Sequence, residues 1–149
     1  MAAAATCLAG LALSACGYTG SHTQQVRQWV AQNTFDQNVQ QVILDAHSIE
    51  LSASKGSALQ LRTNGGGLSA DTGNVYSTLP TPDRPLTSQL AAAMKSFYAG
   101  AELCAVAPST TSAGARRGVA DVRAGLKELS VAHATLLRLG VHSPSTGQG

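Results

Sequence analysis

Two residues of this sequence have the types and spacing of a metal site on a helix. His47 and Glu50 are three residues apart, a spacing that can place two ligands on one helix face. Both lie off the apolar stripe formed by residues such as Ala46 and Ile49, and no other predicted helix carries matching carboxylates. Because a bound metal needs converging ligands, we expect a solvated helix face here and no metal site.

His133 is the histidine whose position most suggests a buried role. It occupies an apolar-stripe position between Leu129 and Leu136, so it could ligate a metal or a haem inside a bundle, or respond to pH. The alternative, which we favour, is a histidine at the edge of the core, because one ligand makes no site. If the helices do enclose a small apolar ligand, Phe97, Leu126 and His133 are the residues predicted to line its pocket.

The remaining candidates for chemistry are weak. Cys104 lies on an apolar stripe and is predicted to be a small buried residue, since no His or Asn motif accompanies it. Asn64-Gly65-Gly66-Gly67 could cradle a phosphate, but it follows no strand and precedes no Lys-Ser/Thr pair. No serine-nucleophile motif, catalytic carboxylate pair or zinc-spaced ligand set is present. The sequence therefore predicts neither an enzyme nor a bound cofactor.

The N-terminus carries the most specific motif. Residues 1–15 contain no charge, and their apolar run is shorter than the ~20 residues that cross a bilayer, which is typical of an export signal. The run ends in Leu13, Ser14, Ala15 and Cys16, which resembles the lipobox of bacterial lipoproteins, although no Lys or Arg precedes the run. The resemblance implies cleavage before Cys16 and a diacylglyceryl group on its sulfur. It also implies a lipid-anchored protein on the extracytoplasmic face of the cell membrane.

These features divide the chain into four parts. We expect a lipoprotein signal peptide at 1–15, the lipidated cysteine and a tether at 16–23, a helical domain at 24–140, and a flexible tail at 141–149. The formal net charge is +2 and the charges are interspersed, so a nucleic-acid partner is not expected. With Cys16 lipidated, no internal disulfide is expected. Without lipidation, a Cys16–Cys104 bridge remains open.

The helical domain is predicted from apolar residues that recur at alternating spacings of four and three. Four such segments joined by short connectors indicate an all-α fold, an antiparallel helical bundle of about four helices. Their stripes begin at Phe35, Leu61, Leu86 and Val119, respectively. An apolar patch at Val26, Trp29 and Val30 precedes them as a separate turn or two.

Several local signals delimit these helices. Thr34 with Gln37, and Ser57 with Gln60, have the spacing of capping boxes. Asp83 is predicted to cap the third helix. The glycine run at 65–67 is expected to break or kink the second helix, because each glycine costs a helix about 0.5–1 kcal/mol relative to alanine.

The segment 79–139 shows a second resemblance. Its Leu-Pro-Thr-Pro-Asp connector, the stretch 97–101, Cys104, Leu126 and Ala132 are similar to small secreted helical proteins of unknown function from high-GC Gram-positive bacteria. Such relatives often carry a second cysteine in the second helix that could bridge to the position of Cys104, where this chain has its glycine run. The resemblance implies no activity.

The function expected from these features is non-catalytic. A lipid anchor, a tether and a helical body without a reactive set indicate a structural or protein-interaction module of the cell envelope. Its expected partners are the membrane, through the N-terminal lipid, and another envelope protein. The alternative is a carrier of a small apolar ligand or a metal between the helices.

Overall fold

The computed structural model describes residues 18–142, and within this range the chain forms helices and no strands. There are five helices, which account for most of these residues. They are α1 (His22–Gln32), α2 (Phe35–Ser54), α3 (Ala58–Tyr76), α4 (Arg84–Ala105) and α5 (Ala113–Arg138). The predicted all-α fold is therefore confirmed.

The helices pack as a bundle in which neighbours along the chain are neighbours in space. The most extensive contact joins α4 to α5, α3 packs on α4 and α2 on α3, and a lighter contact between α2 and α5 closes the group. The predicted number of about four helices was too low, because the apolar patch around Trp29 belongs to a separate helix, α1. Asn33 and Thr34 separate α1 from α2, and Thr34 has a left-handed φ of 48°, which an α-helix cannot contain.

Helix α1 begins inside the segment predicted to be a tether. Its cap is Ser21, whose side chain accepts a hydrogen bond from the Gln24 amide while the Gln24 side chain accepts one from the Ser21 amide. The Trp29 indole Nε1 donates to the Thr78 carbonyl at 2.9 Å, and Arg27 donates to the Gly140 carbonyl at 2.7 Å. These bonds attach α1 to the connector before α4 and to the end of α5.

The predicted caps had different outcomes. Asp83 caps α4 as expected, with its carboxylate accepting from the Leu86 amide at 2.7 Å. The Ser57 hydroxyl accepts from the Gln60 amide at 3.4 Å, which is one of the two hydrogen bonds of the capping box predicted there. Thr34 makes no side-chain cap bond, so the prediction of a capping box there was wrong. Its hydroxyl donates instead to the neighbouring Asn33 carbonyl at 2.7 Å.

The glycine run does not interrupt α3, contrary to the predicted break. Gly65 faces α4 so closely that a Cβ atom there would lie 2.7 Å from the Ala105 amide nitrogen and 2.8 Å from the Ala101 carbonyl oxygen. Gly66, in contrast, has no atom within 4 Å of the same position. The cost of glycine in the helix is offset at Gly65, where its small size allows the two backbones to pack together.

Candidate functional site

The residues of the lipobox motif lie outside the described range. Leu13, Ser14, Ala15 and Cys16 all precede residue 18, where the described part begins. The first described residue, Tyr18, is partly buried against the core, and its hydroxyl oxygen accepts a hydrogen bond from the side-chain Nδ2 of Asn33 at 3.4 Å. The lipid anchor therefore remains a prediction from the sequence.

The structure does not bring together the three residues predicted to line a ligand pocket. Phe97 is fully buried, and its ring lies on the backbone of α5 where a Cβ atom at Gly125 would be 2.7 Å from the ring. Leu126 and His133 are only partly buried and line a separate surface pocket together with Ile43 and Leu129. The apolar stripe of α5 is thus rotated toward Gly125 and Ala132, which leaves His133 at the edge of the core.

The pocket beside His133 is small. Its volume is about 140 Å³, below the 300–1,000 Å³ typical of sites for small organic ligands. Around Phe97 the side chain packs directly on Gly125 of α5, so the ring and the helix backbone occupy the space between α4 and α5.

Glu50 joins α2 to α5 through an ion pair with Arg123, and His47 lies beside it on α2. The Arg123 guanidinium of α5 donates to Glu50 at 2.7 Å, and His47 Nδ1 lies 3.4 Å from the other carboxylate oxygen. This hydrogen bond from Arg123 lowers the pKa of Glu50 below its usual value. Within residues 18–142, no group of three or more His, Cys, Asp and Glu side chains is arranged to hold a metal ion.

Cys104 has the environment of an unreactive thiol. It is fully buried, and its Sγ packs against Gly118 of α5, where an added Cβ atom would lie only 2.7 Å from the sulfur. Burial, with a smaller effect of the Asp121 charge, raises the pKa of the Cys104 thiol to about 11. Since the thiolate is the reactive form, this cysteine is a packing residue of the α4/α5 contact.

A large concave feature of the described residues is a groove between α3 and α4, hereafter the α3/α4 groove. Its volume is about 650 Å³, and most of its lining is apolar. Gly73, Ala91 and Ala92 create it, because their small side chains leave space between the two helices. A Cβ atom added at Gly73 would lie in open space, since no atom lies within 4 Å of that position.

The walls of the groove carry exposed aromatic groups and one charge. Tyr76 and Tyr98, two of the three tyrosines in the chain, line it and are 57% and 52% exposed. Lys95 is the only charged residue in the lining, and its ammonium group makes no hydrogen bond or ion pair with the described residues. Met94 and Thr72 line the inner side of the groove and are almost completely buried.

Sequence reasoning missed this groove because it followed the buried stripes of the helices. The available signal was on the other face of α4, where Ala91, Ala92, Lys95 and Tyr98 recur at helical spacing. Two tyrosines on exposed helix faces are also conspicuous in a chain of low aromatic content. This face of α4 meets Tyr76 of α3 only because α3 packs on α4, and neither segment determines that packing by itself.

Across residues 18–142, no helix combines the length and apolar character needed to cross a membrane. No protein-family model matches the chain, and neither the curated proteins nor the solved structures include a significant match to it.

Proposed function

We propose that this chain is a lipid-anchored, non-catalytic binding module of the cell envelope, and that the α3/α4 groove is its binding surface. The helical domain would be an antiparallel bundle, which the short connectors between successive helices favour. Cys16 would carry the lipid that holds the domain at the extracytoplasmic face of the cell membrane.

The observation that carries the proposal is the exposed apolar groove beside a filled core. Phe97 and Gly125 occupy the space between α4 and α5, whereas Tyr76 and Tyr98 leave apolar surface accessible between α3 and α4. Exposed apolar concavities with a few polar groups are typical of binding sites. A reactive set is missing from the same surface, which favours binding over catalysis.

A small apolar ligand is the first candidate for the occupant of the groove, and an envelope protein is the second. Exposed tyrosines are enriched at protein interfaces because they combine a large apolar area with a hydrogen-bonding hydroxyl. A partner that inserts an apolar side chain beside Tyr76 and Tyr98 would use the same groove.

Anchoring is tested by Cys16→Ser. Two acyl chains suffice for stable attachment, because each buried CH₂ contributes ~0.8 kcal/mol. We expect the native protein in the membrane fraction with an intact mass that includes the lipid, and the variant released or unprocessed. Unchanged mass and membrane retention in the variant would remove the lipoprotein assignment.

The binding surface is tested with a neutral apolar dye, Nile red, and the full chain carrying Cys16→Ser so that no attached lipid competes. Gly73→Leu should abolish most dye binding, because the added side chain extends into the open groove. Gly66→Leu is the matched control, since it adds the same side chain at another open position of α3. Equal dye binding by both variants would show that the groove is not the apolar site.

A further inference from the structure

The α3/α4 groove has the size and lining of a site for an elongated apolar group. Its volume of about 650 Å³ lies within the range of small-ligand sites. Gly73, Ala91 and Ala92 form smooth walls, and Met94 adds a flexible thioether that adapts to the shape of a bound molecule. Such a surface suits a flexible hydrocarbon chain better than a rigid, strongly polar ring.

A single positive charge stands in this apolar lining. Within one helical turn of Lys95, positions 91, 92, 98 and 99 carry no carboxylate, since they are Ala, Ala, Tyr and Ala. The α3 residues across the groove, Thr72, Gly73 and Tyr76, carry none either. The ammonium of Lys95 is thus free to pair with an anionic group on a molecule that lies in the groove.

Thr72 supplies a second polar group that lacks a partner. The residue is 2% exposed, and its hydroxyl oxygen makes no hydrogen bond with the described residues. A buried hydroxyl without a partner is destabilising and uncommon in folded proteins. Thr72 is also one of the residues that line the α3/α4 groove.

From these three observations we infer that the α3/α4 groove binds a single-chain amphiphile with an anionic head, of the fatty-acid class. The inference rests on the proposed function and specifies its ligand. The hydrocarbon chain lies along Gly73, Ala91, Ala92 and Met94, and the carboxylate pairs with Lys95. Burial of the chain supplies most of the affinity, and the charge selects the head group.

The test is displacement of Nile red from the full chain carrying Cys16→Ser, at pH 7.5, where a carboxylic acid is ionised. Decanoate, decan-1-ol and decyltrimethylammonium share their chain length and differ in charge. Decanoate should displace the dye at about one-fifth of the concentration that decan-1-ol requires, and decyltrimethylammonium should be the weakest. The preference for decanoate should decrease as salt is added.

Lys95→Met removes the charge and keeps an apolar side chain, so it should bind decanoate and decan-1-ol equally. Lys95→Arg should retain the preference, as should Lys55→Met, which removes an exposed lysine from the end of α2. Gly73→Leu should leave little bound dye for any of the three compounds to displace, whereas Gly66→Leu should bind the dye and respond to them as the native chain does.

The outcomes separate this inference from the proposed function. If the dye binds in the groove and decan-1-ol competes as well as decanoate, the anionic head is wrong and the binding surface stands. If none of the three compounds displaces a groove-bound dye, the acyl ligand is wrong and a protein partner becomes the occupant to test. If Gly73→Leu and Lys95→Met bind the dye as the native chain does, and decanoate displaces it equally well from all three, decanoate binds elsewhere and the site is wrong.

Discussion

The α4/α5 and α2/α3 contacts bring helices together by opposite means. Between α4 and α5 the backbones meet at Gly100 and Gly118, where a Cβ atom on Gly100 would lie 2.6 Å from the Gly118 carbonyl oxygen. Between α2 and α3 polar side chains add to the apolar stripes of both helices: Asn64 donates to the Ser52 hydroxyl at 2.9 Å and to the Ser48 carbonyl at 3.1 Å. One contact depends on the absence of side chains, and the other depends on particular polar ones.

The difference predicts different sensitivities for the two contacts. Close packing at glycine leaves no room for an added methyl group, so the α4/α5 contact should respond to size and not to pH. The α2/α3 contact includes the neighbouring carboxyl groups of Asp45 and Asp71, so it should tolerate small changes in size but respond to protonation. Substitutions can test each half of this statement.

The largest effect is expected from Gly100→Ala. The new Cβ atom would lie 2.6 Å from the Gly118 carbonyl oxygen and 2.8 Å from the Val122 amide nitrogen, and both are backbone atoms that cannot move independently of α5. We expect the free energy of unfolding to fall by about 2 kcal/mol, within the range measured for overpacked cores. Urea unfolding followed by circular dichroism would measure it.

Gly114→Ala is the control, because it lies in α5 with no atom within 4 Å of the new Cβ. This substitution should leave stability unchanged or raise it by about 0.5 kcal/mol, as expected for alanine in an open helical position. Similar midpoints for the two variants would mean that the α4/α5 contact is looser than the structure indicates.

A smaller effect is expected from Asn64→Ala at the polar contact. The substitution removes both hydrogen bonds to α2, and a net loss of about 1 kcal/mol follows from the typical worth of such bonds. Asn74→Ala is the control, since Asn74 is exposed and donates at 3.2 Å to Asp71 within its own helix. Equal losses in urea unfolding would show that the bonds across α2/α3 add nothing to the ordinary cost of truncating an asparagine.

These contacts also explain what the sequence could predict. The apolar stripes placed α2 to α5 because a buried helix face must recur at helical spacing, whichever helix it meets. Gly65 was misjudged because its cost to α3 is local and visible in the sequence, whereas its benefit depends on Ala101 and Ala105 of another helix. The α3/α4 groove was missed for the same reason: its lining is complementary only after two segments have packed.

The smallest effect is expected at Asp45, and its sign depends on pH. Burial and the neighbouring Asp71 carboxyl raise the pKa of Asp45 from its ordinary value of 3.8 to about 6, while a hydrogen bond from Gln41 acts in the opposite direction. The folded protein therefore holds a proton that the unfolded chain releases. The stability that this proton contributes is fully present below about pH 4 and is lost as the pH rises through 6.

Asp45→Asn should remove this pH dependence, because the amide stays neutral. Asp45 is partly exposed, so solvent screens the effect. We expect the free energy of unfolding of the variant to exceed that of the native protein by about 0.5 kcal/mol at pH 7.5 and to equal it at pH 4. Glu50, whose pKa is lowered by Arg123, contributes the opposite slope in both proteins, so the difference between their urea midpoints isolates Asp45. If that difference were the same at both pH values, the fold would not raise the pKa of Asp45, and the α2/α3 contact would be no more sensitive to pH than the α4/α5 contact.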